Sequence, residues 1–492
     1  MNFYIGADLG TSALKLLLLN SRGEILRSVT KEYPVYYPKP TYSEQDPRDW
    51  WQDLRHGIPE LCNGYNPDDI KGIGIGGQMH GLVMLDEYDE IIRPVILWND
   101  GRTDKETTYL NRSVGKRVLA QNTANIAFAG FTAPKILWVK KNEPENFLRI
   151  SKIMLPKDYL NYLLTGVHAT DYSDAAGTLL LDVKNKCWSR KMLTVCGINE
   201  SMMPRLFESY QKIGTLKPEI AEVLGLSPET VVAAGGGDNA LAALGTGTVG
   251  EGKCNISLGT SGTVFIPSGS FPEGAGGAMH CFCHADGGYH LMGCMLSAAS
   301  CNKWFCDGIL GTKDYAAEQI NITDDKLGKN DVYFLPYLMG ERSPINDTDA
   351  RGTFIGLRMD SSRADMVEAV LEGVAFAIRD NLELAKKQGI TVNYSTLCGG
   401  GAKSPLWQKI IANVLGIDIV LPKAEEGPAM GGAMLSMVAS GECDDIAKLS
   451  MEFFEEKARI TPDSELVALY DEKYNKWSKI YPSVKNLFGK IK

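Results

Sequence analysis

One short phrase occurs twice in this chain, half a chain apart. Asp8-Leu9-Gly10-Thr11-Ser12 runs into an apolar segment, and Ser257-Leu258-Gly259-Thr260-Ser261 runs into Gly262-Thr263-Val264, so that Gly259 follows Gly10 by 259 − 10 = 249 of the 492 residues. Apolar runs joined by a tight glycine turn read as strand, turn, strand. A copy of that unit at half-length predicts two related domains facing one another across a cleft, each offering a Gly-Thr-Ser turn. The best seam is Leu244-Gly245-Thr246-Gly247-Thr248, just before the second copy, which divides the chain into 1–245 and 246–492. A length of 492 residues allows two to four units at roughly 150 residues each.

Glycine placement adds to this frame. Gly72 to Gly77, Gly235-Gly236-Gly237 and Gly399-Gly400-Gly401 each follow an apolar run. They read as strand exits where the backbone must approach something closely. Helices fit between: Asp46-Pro47 caps a segment with Trp50, Trp51, Leu54 and Ile58 on one face, and Ser362 with Asp365 forms a capping box for a long pattern that Gly389 stops. Ser404-Pro405 opens another helix, ending at Gly416, directly after the third glycine run. That order turns free backbone N–H groups toward an anion or a nucleotide; an ordinary αβ connection also accounts for one or two of the glycines. The tail beyond about residue 441 reads as charged and helical. Strands mixed with helices give an α/β protein with ligands at the loop ends.

Composition removes several alternatives. A formal net charge of −9 argues against a nucleic-acid partner, and no apolar window is long enough to span a membrane. The opening Met1-Asn2-Phe3-Tyr4-Ile5 lacks the cationic and apolar regions of a signal peptide, and the cysteines are odd in number, 11, and scattered. Both point to the cytoplasm. His280-Cys281-Phe282-Cys283-His284, with His290 nearby, raises a zinc site, but on a strand its cysteines and histidines point to opposite faces, so a plain buried strand is the favoured reading. No heptads decide the oligomeric state, and a homodimer is the assembly left open.

Two facing Gly-Thr-Ser turns can hold a polyphosphate, and no Gly-x-x-x-x-Gly-Lys-Ser/Thr loop is present for that task. Phosphoryl transfer also needs a carboxylate for Mg²⁺ and, with an alcohol acceptor, a base near the attacking oxygen. Asp8 at the mouth of the first turn suits the former, and Asp238 at the Gly235–Gly237 exit the latter; each residue also reads as a simple turn or cap aspartate. On the acceptor side stand Gln78-Met79-His80-Gly81 and, after Val95-Ile96-Leu97, Trp98-Asn99-Asp100 with Arg102. Amides, an imidazole and a carboxylate suit a polyhydroxylated ligand better than a lipid. His80 also reads as a satisfied structural histidine, and Trp98 is favoured as a core anchor.

Several longer segments together resemble the FGGY carbohydrate kinases along essentially the whole chain. Ile5 to Ser12 is similar to that family's first phosphate turn, Gly130 to Trp138 to one family signature, and Gly352 through Phe354, Gly356 and Leu357 to Ala369-Val370-Leu371-Glu372 to the other. Ser43 to Pro47, Gly77 to Gly81, Leu155 to Leu160 and Ser173 to Thr178 most resemble members acting on D-xylulose. The resemblance implies an α/β fold of two actin-like, ribonuclease-H-like domains of the hexokinase type, with ATP, Mg²⁺ and the sugar meeting in the cleft. It implies Asp238 as general base, Asp8 as the metal-organising carboxylate, and Met79, His80 and Asn239 as sugar contacts. Thr11 and Thr260 are implied to face the phosphates, and Gly399, Gly400 and Gly401 to approach the nucleotide. Glycerol kinases of the family are expected to carry a charged pair in place of Met79-His80. Kinases of ribulose, fuculose or gluconate remain the same-family alternative, and an actin-like or chaperone-like nucleotide switch the rival from another class.

Overall fold

The structure, a computed structural model, describes residues 1–273, 277–423 and 426–491. Its frame is two mixed sheets built to one plan. In the first, Phe3–Leu9 pairs antiparallel with Ala13–Asn20, and that strand with Ile25–Glu32; on its other side Phe3–Leu9 runs parallel to Ile70–Gly77, which is parallel to Val231–Ala233. In the second, Gly252–Leu258 pairs antiparallel with Gly262–Ser268, and that strand with Tyr289–Met295; on the other side Gly252–Leu258 runs parallel to Val392–Cys398, itself parallel to Asp418–Pro422. The duplicated phrase is thus the visible part of a duplicated sheet. Its offset holds at strand level, since 252 − 3 and 262 − 13 are both 249.

The helices start and stop where their chemistry dictates. Asp46 accepts from the Arg48 amide and Pro47 occupies the first turn of Pro47–Cys62. Ser362 and Asp365 form the reciprocal box that opens Arg363–Lys387, and Pro405–Leu415 ends on Gly416 in the left-handed region at φ 65°.

Two expectations are corrected. Gly72 to Gly77 is not a strand exit: it lies within the strand Ile70–Gly77. The close approach is to a helix of the other half of the chain. A Cβ on Gly74 would sit 2.0 Å from the Gly432 carbonyl oxygen, and one on Gly6 1.8 Å from that of Ala429, so Gly427–Ala439 lies against the first sheet with no room for side chains between. The second correction concerns the tail, which is not wholly helical. Glu456–Ile460 adds an antiparallel edge strand beside Asp418–Pro422 before the closing helices Ser464–Trp477 and Ile480–Phe488.

The expected buried strand forms at His280–Cys283, on the edge of the second sheet. Asn125, from the long excursion after the Ile70–Gly77 strand, pairs that edge like a neighbouring strand. Its amide donates to the Cys281 carbonyl at 2.8 Å and its carbonyl accepts from the Cys281 N–H at 3.0 Å. The excursion therefore packs on the second sheet, and a continuous apolar cluster joins Phe131 and Met79 to Phe282. Among the described residues no helix is long and apolar enough to cross a membrane.

Candidate active site

Both Gly-Thr-Ser turns stand at the ends of their sheets' central strands, and each is wired differently. In the first, the Gly10 carbonyl accepts from the Tyr33 hydroxyl at 2.5 Å, and the Thr11 carbonyl from the Gln45 amide at 2.7 Å. Gln45 Oε1 accepts in turn from Gln78 at 2.7 Å, tying the turn to the exit of the adjacent strand. In the second, the Thr260 carbonyl accepts from the Ala298 N–H and the Ser300 hydroxyl, at 3.0 and 2.7 Å. Thr260 itself is exposed.

Asp8 is the last residue but one of Phe3–Leu9 and faces Lys15 across the hairpin. Burial, the nearby charge of Asp238 and that of Glu426 push its carboxyl up to about 7, and Lys15, which is ion-paired to Glu426, opposes this. Asp238 opens the helix Asp238–Gly245. Its Oδ1 accepts from the Asn239 backbone N–H at 2.7 Å and side-chain amide at 2.9 Å. Burial nonetheless raises Asp238 to about 6, with those two hydrogen bonds opposing. The two carboxylates come from strand ends 230 positions apart (238 − 8), and the charge of Asp238 is felt at Asp8. An electrostatically coupled pair, one partner near neutrality, is the pattern of a site that moves protons or gathers a cation.

The loop carrying Asp238 rests on a buried charge cluster that sequence reasoning did not single out. Gly237 N–H donates to Ser173 Oγ at 3.1 Å, Ser173 Oγ donates to Asp171 at 2.5 Å, and Lys157 reaches Asp171 at 2.9 Å and Asp158 at 2.5 Å. Asp174 lies 3.7 Å from Lys157, and neither of its oxygens has a hydrogen-bond partner among the described residues. Burial and the neighbouring carboxylates push it well above the usual carboxylate range, with Lys157 opposing. The segments Leu155 to Leu160 and Ser173 to Thr178 carried the signal, and this cluster is their physical content.

His80 is half-buried, with φ at 70°, a costly conformation outside glycine. Two donors hold it there: Thr132 Oγ1 and the buried Lys135 Nζ reach its carbonyl at 3.1 and 2.7 Å, and Lys135 also meets the Gly130 carbonyl at 2.6 Å. The Gly130 to Trp138 signature thus acts on His80 through Lys135. His80 Nδ1 lies 2.7 Å from the Gly177 carbonyl, which only accepts, so Nδ1 carries the proton and Nε2 is left as a bare acceptor. Burial lowers the imidazole to about 3 and keeps it neutral. Met79 is buried, its thioether packed under Gly237 and Gly177.

The other acceptor candidates behave differently. Trp98 is not a core anchor: it is 45% exposed, and its indole N–H donates to Thr11 Oγ1 at 3.0 Å. Asp100 and Arg102 are not free for a ligand either. They pair with each other at 2.7 Å, Arg102 reaches Glu44 at 2.7 Å, and Asp100 accepts from the Ser43 N–H at 2.6 Å. Opposing charges on two short motifs fold onto one another here.

Beside the second turn opens a cavity of about 820 Å³, lined by Gly259, Thr260, Gly400, Gly401, Ser404 and Trp407 among others. Gly399 has φ 91°, and a Cβ on Gly401 would strike Leu258, whereas one on Gly400 would meet nothing within 4 Å. Two of the three glycines are therefore required by the fold, and Gly400 is left bare toward the cavity.

Two duplicated α/β sheets, a coupled pair of carboxylates and a large cavity beside a glycine turn define a two-domain phosphotransferase of the sugar-kinase type. Residues 3–245 match the N-terminal domain and 254–440 the C-terminal domain of the FGGY family of carbohydrate kinases, and the chain belongs to that family. It is 40% identical over 481 residues to the xylulose kinase of Escherichia coli (strain K12), covering 97% of this chain and 98% of that protein. Among solved structures, the "xyloylose kinase" of Brucella ovis is 40% identical, with a TM-score of 0.94 over 99% of this chain and 100% of that one. The gluconate kinase of Lactobacillus acidophilus is 26% identical, with a TM-score of 0.93 over the full length of both.

Proposed function

We propose that this chain transfers the γ-phosphoryl group of ATP to the C5 hydroxyl of D-xylulose, giving D-xylulose 5-phosphate and ADP. The observation that carries the reading is the meeting of Asp8 and Asp238, each with a raised pKa, beside a neutral His80 whose Nε2 is free to accept. Asp238 takes the hydroxyl proton as the oxygen attacks. A base titrating near 6 is ionised at neutral pH yet still basic enough to receive it. Asn239 aims the carboxylate, His80 Nε2 accepts from a sugar hydroxyl, and Met79 forms the apolar floor. Asp8, a carboxylate with no side-chain hydrogen bond among the described residues, fits a divalent cation. Mg²⁺ bound there with the phosphates supplies charge neutralisation. Thr11, Thr260 and Gly399 to Gly401 receive the phosphates and nucleotide, the last group at the cavity.

The chain acts, in this reading, as two units dividing at 245 and 246, in the cytoplasm. The 40% identity to the xylulose kinase of Escherichia coli (strain K12) over nearly the full length of both chains supports the ketopentose. ADP release measured over a panel of pentuloses, hexuloses, polyols and gluconate tests this. D-xylulose should give the highest kcat/KM. A higher value for another acceptor would replace the substrate, and ATP hydrolysis indifferent to sugar would replace the kinase by a nucleotide switch.

A further inference from the structure

Arg342 belongs to neither turn and to none of the roles above. Its place in the fold is nevertheless specific. The Arg342 N–H donates to Glu341 Oε1 at 2.7 Å, the same oxygen accepts from the Leu296 N–H at 2.9 Å, and the Ser343 N–H donates to the Cys294 carbonyl at 2.9 Å. Cys294 pairs with Thr263, the second residue of the strand that leaves the second Gly-Thr-Ser turn. Arg342 is thus anchored at the phosphate end of the second sheet. Its guanidinium carbon lies 5.0 Å from the Phe128 ring, which is 5.5 Å from Phe131, itself 4.8 Å from His80. The side chain therefore extends from the phosphate turn toward the sugar side.

The other half-buried or buried arginines among the described residues are satisfied: Arg102 pairs with Asp100 and Glu44, Arg93 with Glu44 and Glu143, Arg379 with Glu383 and Asp471, and Arg27 donates to the carbonyls of Glu60, Leu61 and Asn63. Arg342 has no ion pair among the described residues, although it is half-buried. The adjacent Glu341 spends Oε1 on backbone N–H groups. A half-buried guanidinium with no direct ion pair is costly, and its planar fork matches a phosphoryl group. Its charge is felt at His80, His280, Glu341 and Cys294, its side chain hydrogen-bonds the Cys294 thiol, and Cys294 also senses Asp238.

We infer that Arg342 is a further catalytic residue, whose guanidinium binds the phosphoryl group during transfer and remains with it as the phosphate of the product. In that step the C5 oxygen forms its bond to the γ-phosphorus and its proton passes to Asp238. The bond from phosphorus to the bridging oxygen breaks, and ADP leaves with the electron pair. Negative charge moves from the nucleotide side toward the sugar side, which is the path Arg342 spans. The inference rests on the phosphotransfer reading above.

The test compares Arg342→Gln and Arg342→Lys with the wild type in three measurements. These are kcat, the dissociation constant of D-xylulose without nucleotide, and the inhibition constant of D-xylulose 5-phosphate. Arg342→Gln should lower kcat about 10²–10³-fold and weaken the sugar phosphate at least about tenfold, with the D-xylulose constant within about twofold. Arg342→Lys should recover part of both losses. An inhibition constant that moves only in step with that of the unphosphorylated sugar, or that does not move, overturns the proposal and leaves Arg342 as a clamp on Phe128. If Arg342→Gln does not fold, the lysine variant decides by the same comparison. Should the wild type prefer another sugar, the substrate reading fails on its own, and that sugar with its phosphate ester replaces the xylulose pair.

Discussion

The two Gly-Thr-Ser turns share backbone and differ in charge. At the position 249 residues after Asp8 stands Ser257, and at the position corresponding to Lys15 stands Val264. The first sheet also carries Gly6 where the second has Asn255, whose side-chain amide donates to Thr396 at 2.8 Å within its own sheet. Gly6 instead admits the helix Gly427–Ala439. Duplication thus supplied two equivalent glycine-turn ends, and divergence placed the buried carboxylates on one of them and the large cavity on the other. Symmetry of the frame does not imply symmetry of function.

The largest effect should come from removing the second carboxylate of the acidic end, Asp238, which neighbours Asp8. Asp238→Asn is expected to lower kcat by about 10²–10⁴-fold with ATP affinity near wild type. Asp8→Asn should lose activity in a way that added Mg²⁺ partly restores. A Mg²⁺ titration of kcat for both variants separates the roles, and a near-normal kcat for Asp238→Asn at saturating sugar ends the general-base assignment. Wild-type kcat should rise with pH through about 6 as Asp238 ionises. Stability should run the other way. The folded carboxyl holds its proton up to about 6, well above the ordinary carboxylate value, so its contribution to stability is present in acid and lost as pH rises through 6. Asp238→Asn should therefore melt above the wild type at pH 8, and the gap should close by about pH 4.

The support beneath the base is the next test of asymmetry. Lys157 is fully buried among Asp158, Asp171 and Asp174 beneath the loop that carries Asp238, whereas the buried lysine of the second half, Lys473, pairs with Glu372 at 2.5 Å on helices of its own half. Lys157→Met leaves the carboxylates without their cation and should cost about 3–5 kcal/mol of stability. Denaturant unfolding at pH 7 and pH 5 checks it, since protonation of the orphaned carboxylates should restore part of the loss at the lower pH. A change below 1 kcal/mol, about the worth of a surface pair, would show that the cluster bears little on the loop.

How much of this was legible in the sequence depended on whether the signal was local. The offset of 249 residues was visible because a turn is short and its glycine is obligatory, and it extended to whole strands. Asp8 and Asp238 stood out as carboxylates at strand ends. Trp98 and Arg102 misled because aromatic and charged residues look alike in sequence whether they meet a ligand or each other. Lys135 and Lys157 stood inside the Gly130 to Trp138 and Leu155 to Leu160 segments, but their tasks did not show because His80 and Asp171 lie 55 (135 − 80) and 14 (171 − 157) positions away, and Arg342 had no motif around it and meets Cys294 48 (342 − 294) positions away. The first glycine run reads as a strand exit rather than a strand interior because the helix that requires it, Gly427–Ala439, comes from the other half of the chain.

A smaller effect is expected at the sugar side. His80→Ala removes the Nε2 acceptor and should cost about 1–3 kcal/mol of substrate stabilisation, read as a raised KM for D-xylulose. Lys135→Met should reach the same KM indirectly, by releasing the carbonyl that holds His80 at φ 70°. If His80→Ala lowers the melting temperature and leaves KM unchanged, His80 is a core histidine and nothing more.

The smallest effect returns to the turns themselves. Thr260 is exposed, and its hydroxyl has no hydrogen-bond partner among the described residues, whereas the Thr11 hydroxyl already accepts from Trp98 at 3.0 Å. Thr260→Val keeps the shape of the side chain and removes one neutral hydrogen bond to a phosphate, worth about 0.5–1.5 kcal/mol. It should raise the KM for ATP about 2–10-fold and leave D-xylulose binding without nucleotide unchanged. Thr11→Val removes in addition the acceptor that Trp98 uses, so its effect should spread to the loop on the acceptor side and raise the KM of both substrates. Matching profiles for the two valine variants would mean that both turns grip the nucleotide alike, and that the asymmetry lies in Asp8 alone. A loss of sugar affinity in Thr260→Val equal to its loss for ATP would put Thr260 at the wrong end of the cleft.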